Sequence, residues 1–380
     1  MRVLVLTRNT GEGHNRVAQA VKQAFEAQGD YCEIADALRL ASGDWEEPDS
    51  SPGKRRADVL SQLYGWAALK MPALFGAAYN LGDLYSRTRA PSPIRSQNSQ
   101  YAEATHTYIR DHWFDAVVAT HLFPQETLSV VRSRHPSEVR YYGVLTDYSC
   151  TPFFSEPVLD GYFVPHPDMM PDCLKHGLPA AATYPVGLPV ASAFQRPPTR
   201  AEARSLLGLP ENLPVFLLMS GGVGSLYTVG ACDRLLAGGG GDTCVVILTG
   251  RRQDLFASVS ARFADDQRVR VVPFTDRVAD YMAAADILLT KPGAVTSTEA
   301  AVMGLPLIHT AAVPGGEVKN ARFFAGHGMS LYEQKPGEAA RLMHWLLDDR
   351  AKMAGIRECQ QDNVVVDAAE RVVDQIKADI

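Results

Sequence analysis

VFLLMSGGVGS, residues 215–225, joins an uninterrupted apolar run to a loop that contains three glycines. The run has the length of a strand buried on both faces, and it ends where the glycines begin. The uncharged stretch 212–232 around it is long enough to span a membrane, but the glycines and serines interrupt it. We therefore interpret this segment as a buried strand that runs into a glycine loop.

Short apolar runs of the same kind recur along the chain and alternate with amphipathic segments such as 16–28 and 277–285. This alternation is typical of parallel sheets that are covered by helices on both faces. The sequence thus predicts an α/β protein with doubly wound, Rossmann-like domains. The strand candidates are Val3–Leu6, Ala116–Thr120, Tyr141–Leu145, Val215–Met219, Val245–Leu248, Val269–Val272, Ile287–Leu289 and Pro306–His309.

The chain has 380 residues, which exceeds the length of one ordinary domain. The best boundary lies around Pro197-Pro198, because two prolines interrupt regular structure. We expect an N-terminal domain at 1–193, a linker at 194–203, a second domain at 204–362 and a C-terminal helix at 363–380. Doubly wound sheets bind ligands at the carboxyl ends of their strands, so we expect the two domains to face a central cleft that holds the site.

Composition and charge argue against several functions. A net charge of -6 is opposite to the basic footprint of a nucleic-acid-binding protein. The six cysteines form no CxxC pair, so neither a disulfide framework nor a zinc site is expected. The apolar run Val3–Leu6 is too short for the core of an export signal. We expect a cytoplasmic protein.

One region, 52–95, differs in charge from the rest of the chain. It has seven basic residues against two acidic ones, a local excess of five positive charges, with aromatic and leucine residues between them. Such a mixture indicates an element that binds an anionic membrane surface. The alternative is an ordinary surface helix that packs on its own domain. The residues assigned to membrane contact are Lys54, Arg55, Arg56, Tyr64 and Trp66.

Two glycines, Gly11 and Gly13, precede His14 in a loop that follows the first strand and leads into a helix. The third glycine of the dinucleotide fingerprint is replaced by Arg16, and the GK[ST] of a P-loop is absent. A helix N-terminus disfavours imidazolium, so His14 should be neutral and able to accept a proton. Many single histidines are structural, and that alternative applies here as well.

Two further motifs could bind an anion in the second half of the chain. The amides of a glycine loop before a helix suit a diphosphate, although such loops also serve as simple turns. The stretch 290–301 combines a glycine turn, several hydroxyls and Glu299, which we expect in the first turn of a helix. There it could bind a ribose diol or merely complement the helix dipole. The loop comprises Ser220, Gly221, Gly222 and Gly224; the second motif contributes Lys291, Gly293, Thr296, Thr298 and Glu299.

Together these motifs resemble the GT-B glycosyltransferases of the family that includes monogalactosyldiacylglycerol synthases and processive diacylglycerol glucosyltransferases, with the lipid II-forming GlcNAc transferase as a more distant relative. The resemblance covers most of the chain. Its anchors are Gly11–His14, Thr146–Tyr148, Asp160–Pro165, Gly187–Val190, Thr249–Arg251, Lys291–Ala300 and Pro314–Asn320.

The resemblance implies a role for each matching residue. His14 activates the acceptor hydroxyl, with Asp147 as its partner or its competitor for the role of base. The glycine loop and Thr296–Thr298 hold the diphosphate, and Glu299 holds the ribose. Glu317 and Asn320 lie by the donor sugar, and the backbone near Phe274 and Thr275 holds the uracil. Arg251 is assigned to the same UDP-sugar site.

Two departures from the family pattern concern the donor sugar. The family's PGQE glutamine is Gly316 here, and its glycine before the asparagine is Lys319. The resemblance implies transfer of a hexose from a UDP-sugar to a membrane lipid such as diacylglycerol, with inversion at the anomeric carbon. No D-x-D triplet occurs in the sequence, so neither a metal nor another cofactor is expected.

Two other functions remain open at this point. A UDP-GlcNAc 2-epimerase has the same two-domain architecture and no lipid acceptor, but it would have no use for the basic insert. A non-catalytic UDP-sugar sensor at the membrane is disfavoured by the presence of His14, Asp147 and Glu299 together, whereas Gly316 is compatible with it. We expect the protein at the inner face of the plasma membrane, associated peripherally.

Overall fold

A computed structural model describes residues 1–8, 12–37, 40, 82, 85, 99–219, 227–238 and 243–380 of the chain. Contacts divide the chain into two compact units. The first unit comprises Met1–Ser192, Pro314–Gly316 and Val365–Ile380, and the second comprises Ala193–Val313 and Glu317–Val364. The expected linker 194–203 lies in the second unit, and the C-terminal segment returns to the first.

The regular elements alternate between strands and helices along the chain. The strands are β1 (Arg2–Thr7), β2 (Tyr31–Asp36), β3 (Ala116–Ala119), β4 (Arg140–Val144), β5 (Gly161–Phe163), β6 (Thr183–Tyr184), β7 (Val215–Met219), β8 (Cys244–Leu248), β9 (Val269–Val272), β10 (Ile287–Thr290), β11 (Leu307–His309) and β12 (Leu331–Tyr332). The helices are α1 (Glu12–Ala27), α2 (Ala102–Asp111), α3 (Leu122–Arg134), α4 (Met170–His176), α5 (Ser192–Gln195), α6 (Arg200–Leu207), α7 (Tyr227–Gly238), α8 (Gln253–Arg262), α9 (Val278–Ala284), α10 (Ala294–Val302), α11 (Gly316–Gly326), α12 (Pro336–Asp348), α13 (Arg350–Asn363) and α14 (Ala368–Asp379).

The first unit has a six-stranded sheet in the order β2-β1-β3-β4-β5-β6, and every pair in it is parallel. Both faces of this sheet are covered, so the middle of β1, Val3–Leu6, and all of β3, Ala116–Ala119, are apolar and fully buried. The register pairs Val3 with Ala116 and Leu6 with Ala119. The carboxyl ends of β1, β3 and β4 therefore lie side by side.

The C-terminal helix α14 belongs to the first unit because its apolar side, which includes Val372 and Ile376, is buried there. The segment that leads to α14 passes against Gly187, whose φ is +100°. A Cβ at Gly187 would lie 2.7 Å from the Cβ of Val365, so both the backbone conformation and the close approach require glycine.

The second unit has a six-stranded parallel sheet in the order β12-β11-β10-β7-β8-β9. Strand β7 is the apolar run Val215–Met219 predicted from the sequence, and it lies in the interior of the sheet. Helices α7 and α12 cover one face with side chains such as Leu235 and Met343. Within the described ranges, no helix is both long and apolar enough to cross a membrane.

Candidate functional site

His14 occupies the first turn of α1 and contacts the residue that follows β3. Its Nδ1 lies 2.8 Å from the carbonyl oxygen of Thr120, and the hydroxyl of Thr120 donates to the carbonyl oxygen of His14 at 3.2 Å. Strands β1 and β3 are adjacent, so the sheet brings together two segments that are 106 residues apart in sequence. Gly13 lies beside His14 in the same helical turn.

The contact with Thr120 determines which ring nitrogen of His14 carries the proton. A carbonyl oxygen can only accept a hydrogen bond, so Nδ1 must be the donor. In a neutral imidazole the other nitrogen, Nε2, then keeps its lone pair and can accept a proton. This is the tautomer that a general base requires, and it is oriented by a backbone group that no side-chain substitution removes.

The segment after β4 supplies a third contact. The Oγ1 of Thr146 lies 3.0 Å from His14 Nδ1, close enough to share the proton that Nδ1 donates to Thr120. Asp147 is the next residue, so the structure places the two predicted catalytic residues in adjoining segments of the first unit. Gly316 belongs to this unit too, and a Cβ on it would lie 3.6 Å from Asp147 Oδ2.

His121 was not identified from the sequence, yet its ring packs against that of His14. The ring centroids are 4.6 Å apart and the planes meet at 78°. His121 is the N-cap of α3, and its Nδ1 accepts from the Phe123 amide at 3.0 Å. Burial, and secondarily His14 and Arg8, lower the pKa of His121 well below the usual value, so it adds no charge beside the base.

Burial also lowers the pKa of His14 from its ordinary value of 6.5, against the opposing effect of the Thr120 hydrogen bond. We therefore expect kcat/KM to fall with an apparent pKa below 6.5 on the acid side, because a proton on Nε2 would block the base. The measurement is the pH profile of transfer, with UDP affinity followed by calorimetry at each pH. An acid limb centred above 6.5, with UDP binding unchanged, would exclude His14 as the titrating base.

The second unit brings several predicted donor-site residues together at the end of β10. Lys291 Nζ donates to Glu317 Oε1 at 2.7 Å, and Glu317 Oε2 accepts from the Val313 amide at 2.8 Å. Gly293 is the N-cap of α10, and among the described residues nothing lies within 4 Å of a Cβ placed on it. The turn therefore leaves open space beside first-turn amides that have no partner within the helix, an arrangement suited to an anion.

Glu299 is the predicted donor residue of α10 that lies elsewhere on the helix than expected. Glu299 lies in the second turn of α10, because the helix begins at Ala294 and has no acid in its first turn. Complementing the helix dipole is thus not its role, since that effect is confined to the terminal turn. Thr298 donates to the Ala294 carbonyl at 2.8 Å, so its proton is used within the helix. Thr296 is half-buried in the first turn.

Asn320 is also placed differently. We expected it by the donor sugar, but its side chain is fully buried, and its Nδ2 donates to the carbonyl oxygen of Pro292 at 3.2 Å. It therefore supports the Lys291–Gly293 turn from within the protein.

Arg251, which follows β8, and Phe274, which follows β9, form a cation–aromatic pair. The guanidinium carbon of Arg251 lies 3.8 Å from the ring centroid of Phe274, whose side chain is half-exposed. Thr275 accepts from the Arg277 amide at 3.1 Å through its hydroxyl. The structure thus brings Arg251, assigned to the UDP-sugar site, beside Phe274, whose backbone is assigned to the uracil, at neighbouring strand ends.

Several predicted residues lie outside the described ranges. They are Gly11 of the first loop, Ser220, Gly221, Gly222 and Gly224 of the second, and Lys54, Arg55, Arg56, Tyr64 and Trp66 of the basic insert.

Comparison with known proteins identifies both halves of the chain. The family model described as Monogalactosyldiacylglycerol (MGDG) synthase matches residues 14–190, and that of the Glycosyltransferase family 28 C-terminal domain matches residues 218–361. A processive diacylglycerol beta-glucosyltransferase of Bacillus pumilus is 22% identical over 99% of this chain and 94% of its own length. Monogalactosyldiacylglycerol synthase 1 of Arabidopsis thaliana is 27% identical over 90% of this chain, which spans 64% of that protein.

Solved structures support the same fold. MurG of Acinetobacter baumannii superposes with a TM-score of 0.63 at 14% identity, over 99% of both chains. UDP-GlcNAc 2-epimerase of Neisseria meningitidis, bound to UDP-GlcNAc, gives a TM-score of 0.65 at 11% identity over both whole chains. At these identities the likeness establishes the fold alone. The family models establish the rest for each half: residues 14–190 belong to the monogalactosyldiacylglycerol synthase family and residues 218–361 to the glycosyltransferase family 28 C-terminal domain, so the chain is a glycosyltransferase of the GT-B fold.

Proposed function

We propose that this protein transfers a hexose from a UDP-sugar to the hydroxyl of a membrane lipid such as diacylglycerol, with inversion at the anomeric carbon. The observation that carries the proposal is the orientation of His14. Its Nδ1–H is directed to the Thr120 carbonyl, which leaves the Nε2 lone pair to receive a proton. The named relatives, which act on diacylglycerol, support the choice of acceptor.

The reaction is a single displacement. The lipid oxygen forms a bond to the anomeric carbon while its proton passes to His14 Nε2, and the bond between that carbon and the UDP oxygen breaks with its electron pair leaving on UDP. One bond forms and one breaks at carbon, so the configuration inverts. Asp147, next to the Thr146 that contacts His14, is the second candidate for accepting the proton.

The departing UDP gains negative charge, which the protein must stabilise. The first-turn amides of α10 lie just after β10 and supply positive potential there, beside Lys291, whose charge is paired with Glu317. Glu299 and the Arg251–Phe274 pair are assigned to the ribose and the uracil. We propose that transfer needs no metal ion, because the sequence lacks a D-x-D triplet.

The acceptor is insoluble, so the protein must reach a membrane surface. The excess of positive charge in 52–95 supports peripheral association with an anionic leaflet, at about 1 kcal/mol for each nearby basic side chain. We propose that the protein works at the cytoplasmic face of the plasma membrane and holds its lipid acceptor there.

A transfer assay tests the proposal. Purified protein is mixed with a panel of UDP-sugars and with vesicles of phosphatidylglycerol, with or without diacylglycerol, in EDTA or in magnesium. We expect UDP release that requires diacylglycerol and one preferred sugar, at the same rate in both buffers. Release that appears only with magnesium would contradict the metal-free mechanism, and release independent of diacylglycerol would contradict the acceptor.

A UDP-GlcNAc 2-epimerase shares this fold, so the experiment also has to separate a second candidate, an isomerase of the sugar nucleotide. An epimerase would convert UDP-GlcNAc without vesicles and would release no glycolipid. A non-catalytic sensor would bind UDP-sugar and would produce neither a new sugar nucleotide nor a glycolipid. The same reaction mixtures, examined for new sugar nucleotides as well as for lipid products, separate these functions from lipid glycosylation.

Replacing Glu299 with alanine should weaken UDP binding by about 1–3 kcal/mol, the range for losing a hydrogen bond to a charged group. Calorimetry measures this directly. Glu338→Ala is the matched control, because that carboxylate is exposed on α12, where it pairs with Arg341 one turn away. Equal UDP affinity in the two variants would mean that Glu299 does not contact the nucleotide.

A further inference from the structure

His309 is a fully buried histidine at the end of β11 that the proposed reaction does not use. Its Nε2 lies 2.8 Å from Ser297 Oγ, and its Nδ1 lies 3.1 Å from Ser330 Oγ. Burial lowers its pKa to about 3, so the ring is neutral at any pH at which the enzyme would be assayed. Both ring nitrogens therefore take part in hydrogen bonds between neutral groups.

The direction of these bonds follows from the hydroxyl of Ser297. That hydroxyl has one proton, and it donates it to the carbonyl oxygen of Gly293 at 2.9 Å. Ser297 must then accept from His309 Nε2–H, which fixes the tautomer and leaves Nδ1 to accept from Ser330. The result is a directed chain from Ser330 through His309 and Ser297 to Gly293.

The chain ends at the turn where the donor diphosphate is assigned. Gly293 is the N-cap of α10, and its carbonyl also accepts from the Ser297 amide at 3.0 Å. The preceding carbonyl, of Pro292, accepts from Asn320. In the part of the chain that the structure describes, nothing lies within 4 Å of a Cβ placed on Gly293, so these hydrogen bonds are the described contacts that orient the turn.

We propose that His309 is a positioning residue of the donor site: through Ser297 it fixes the Gly293 carbonyl and thereby aims the first-turn amides of α10 at the diphosphate. The inference rests on the proposed function, since it presumes that this turn binds the donor. Ser297 and His309 are both fully buried, so neither touches the nucleotide itself. If His309 only filled the core, any side chain of similar volume could replace it without changing UDP affinity.

Two serine variants separate positioning from stability. Ser297→Ala removes two hydrogen bonds, those with His309 and with Gly293, whereas Ser330→Ala removes only the one with His309, so thermal melting of both variants accompanies the binding measurement. Only Ser297→Ala breaks the connection to Gly293. We expect it to weaken UDP binding and raise the donor KM by roughly two- to tenfold, the effect of one neutral hydrogen bond, with kcat nearly unchanged. Ser330→Ala should retain UDP affinity within about twofold of wild type.

Substitutions at His309 provide a rescue test. His309→Leu removes both hydrogen bonds and should match Ser297→Ala in UDP affinity, whereas His309→Gln keeps an N–H donor that can reach Ser297 and should restore most of it. UDP binding is measured by calorimetry, and thermal melting verifies folding. Equal effects of the two serine variants on UDP affinity, or none from Ser297→Ala, would overturn the inference and leave the proposed function intact. Failure of the wild type to bind UDP would overturn both.

Discussion

Replacing His14 with alanine should lower the rate of sugar transfer by about 10²- to 10⁴-fold, the usual contribution of a general base. UDP affinity should change little, because the described contacts of the His14 ring, with Thr120, Thr146 and His121, all lie in the first unit. Single-turnover kinetics measures the first effect and calorimetry the second.

His106→Ala is the control for this substitution. His106 belongs to the same unit, and its ring stacks on His135 at a centroid distance of 3.9 Å, in a contact that involves none of the proposed catalytic residues. The His106→Ala variant should transfer sugar at the wild-type rate. If UDP binding disappeared together with activity in His14→Ala, His14 would belong to the donor site or to the fold, and the assignment as base would fail.

Replacing Asp286 with alanine should destabilise the second unit by about 3–5 kcal/mol, the cost of leaving a buried charge without its partner. Arg204 is buried to 5% exposure, and its Nη2 donates to Asp286 Oδ2 at 2.8 Å. The same oxygen accepts from the Val215 amide at 2.8 Å, which ties the start of β7 to the pair. Such a loss is a third or more of the stability of many domains.

Urea unfolding followed by circular dichroism measures this effect. Arg200→Ala is the matched control: Arg200 also contacts Asp286, but its side chain is 58% exposed and should contribute less than about 1 kcal/mol. If the free energy of unfolding of Asp286→Ala lay within about 1 kcal/mol of wild type, the carbonyl oxygens around Arg204 would satisfy its charge by themselves. These carbonyls include those of Ala284 and Leu213.

The interior strand Val215–Met219 could be predicted from the sequence because it is apolar at every position, and it is observed with the predicted bounds. Val269–Val272 is also observed with the predicted bounds, although it lies at the sheet edge and contains Arg270. Tyr31–Asp36 was missed because it lies at the sheet edge, where polar residues alternate with apolar ones. The C-terminal helix was expected, but its return to the first unit depends on the contact of Val365 with Gly187, which no local pattern reveals.

The site was predicted in part. His14 follows a glycine loop, which is a local signal, whereas its partners Thr120 and Thr146 depend on which strands are neighbours. The Thr120-His121 pair directly after an apolar run was the available signal for that contact. Glu299 was placed one turn too early because the helix begins at Ala294 and not at a later residue. The burial of Asn320 and the directed chain of hydrogen bonds through His309 depend on tertiary structure, and no local sequence pattern predicts them.

The central claim is transfer with inversion to a lipid hydroxyl, and the structure of the product tests it most directly. Reaction of the preferred α-linked UDP-sugar with diacylglycerol vesicles, followed by mass spectrometry and proton NMR of the extracted lipid, gives both the mass and the anomeric configuration. We predict a glycosyl diacylglycerol whose first sugar is β-linked. An α-linked product would contradict a single displacement in which His14 acts as the base. An epimerised sugar nucleotide with no glycolipid would contradict the transfer itself.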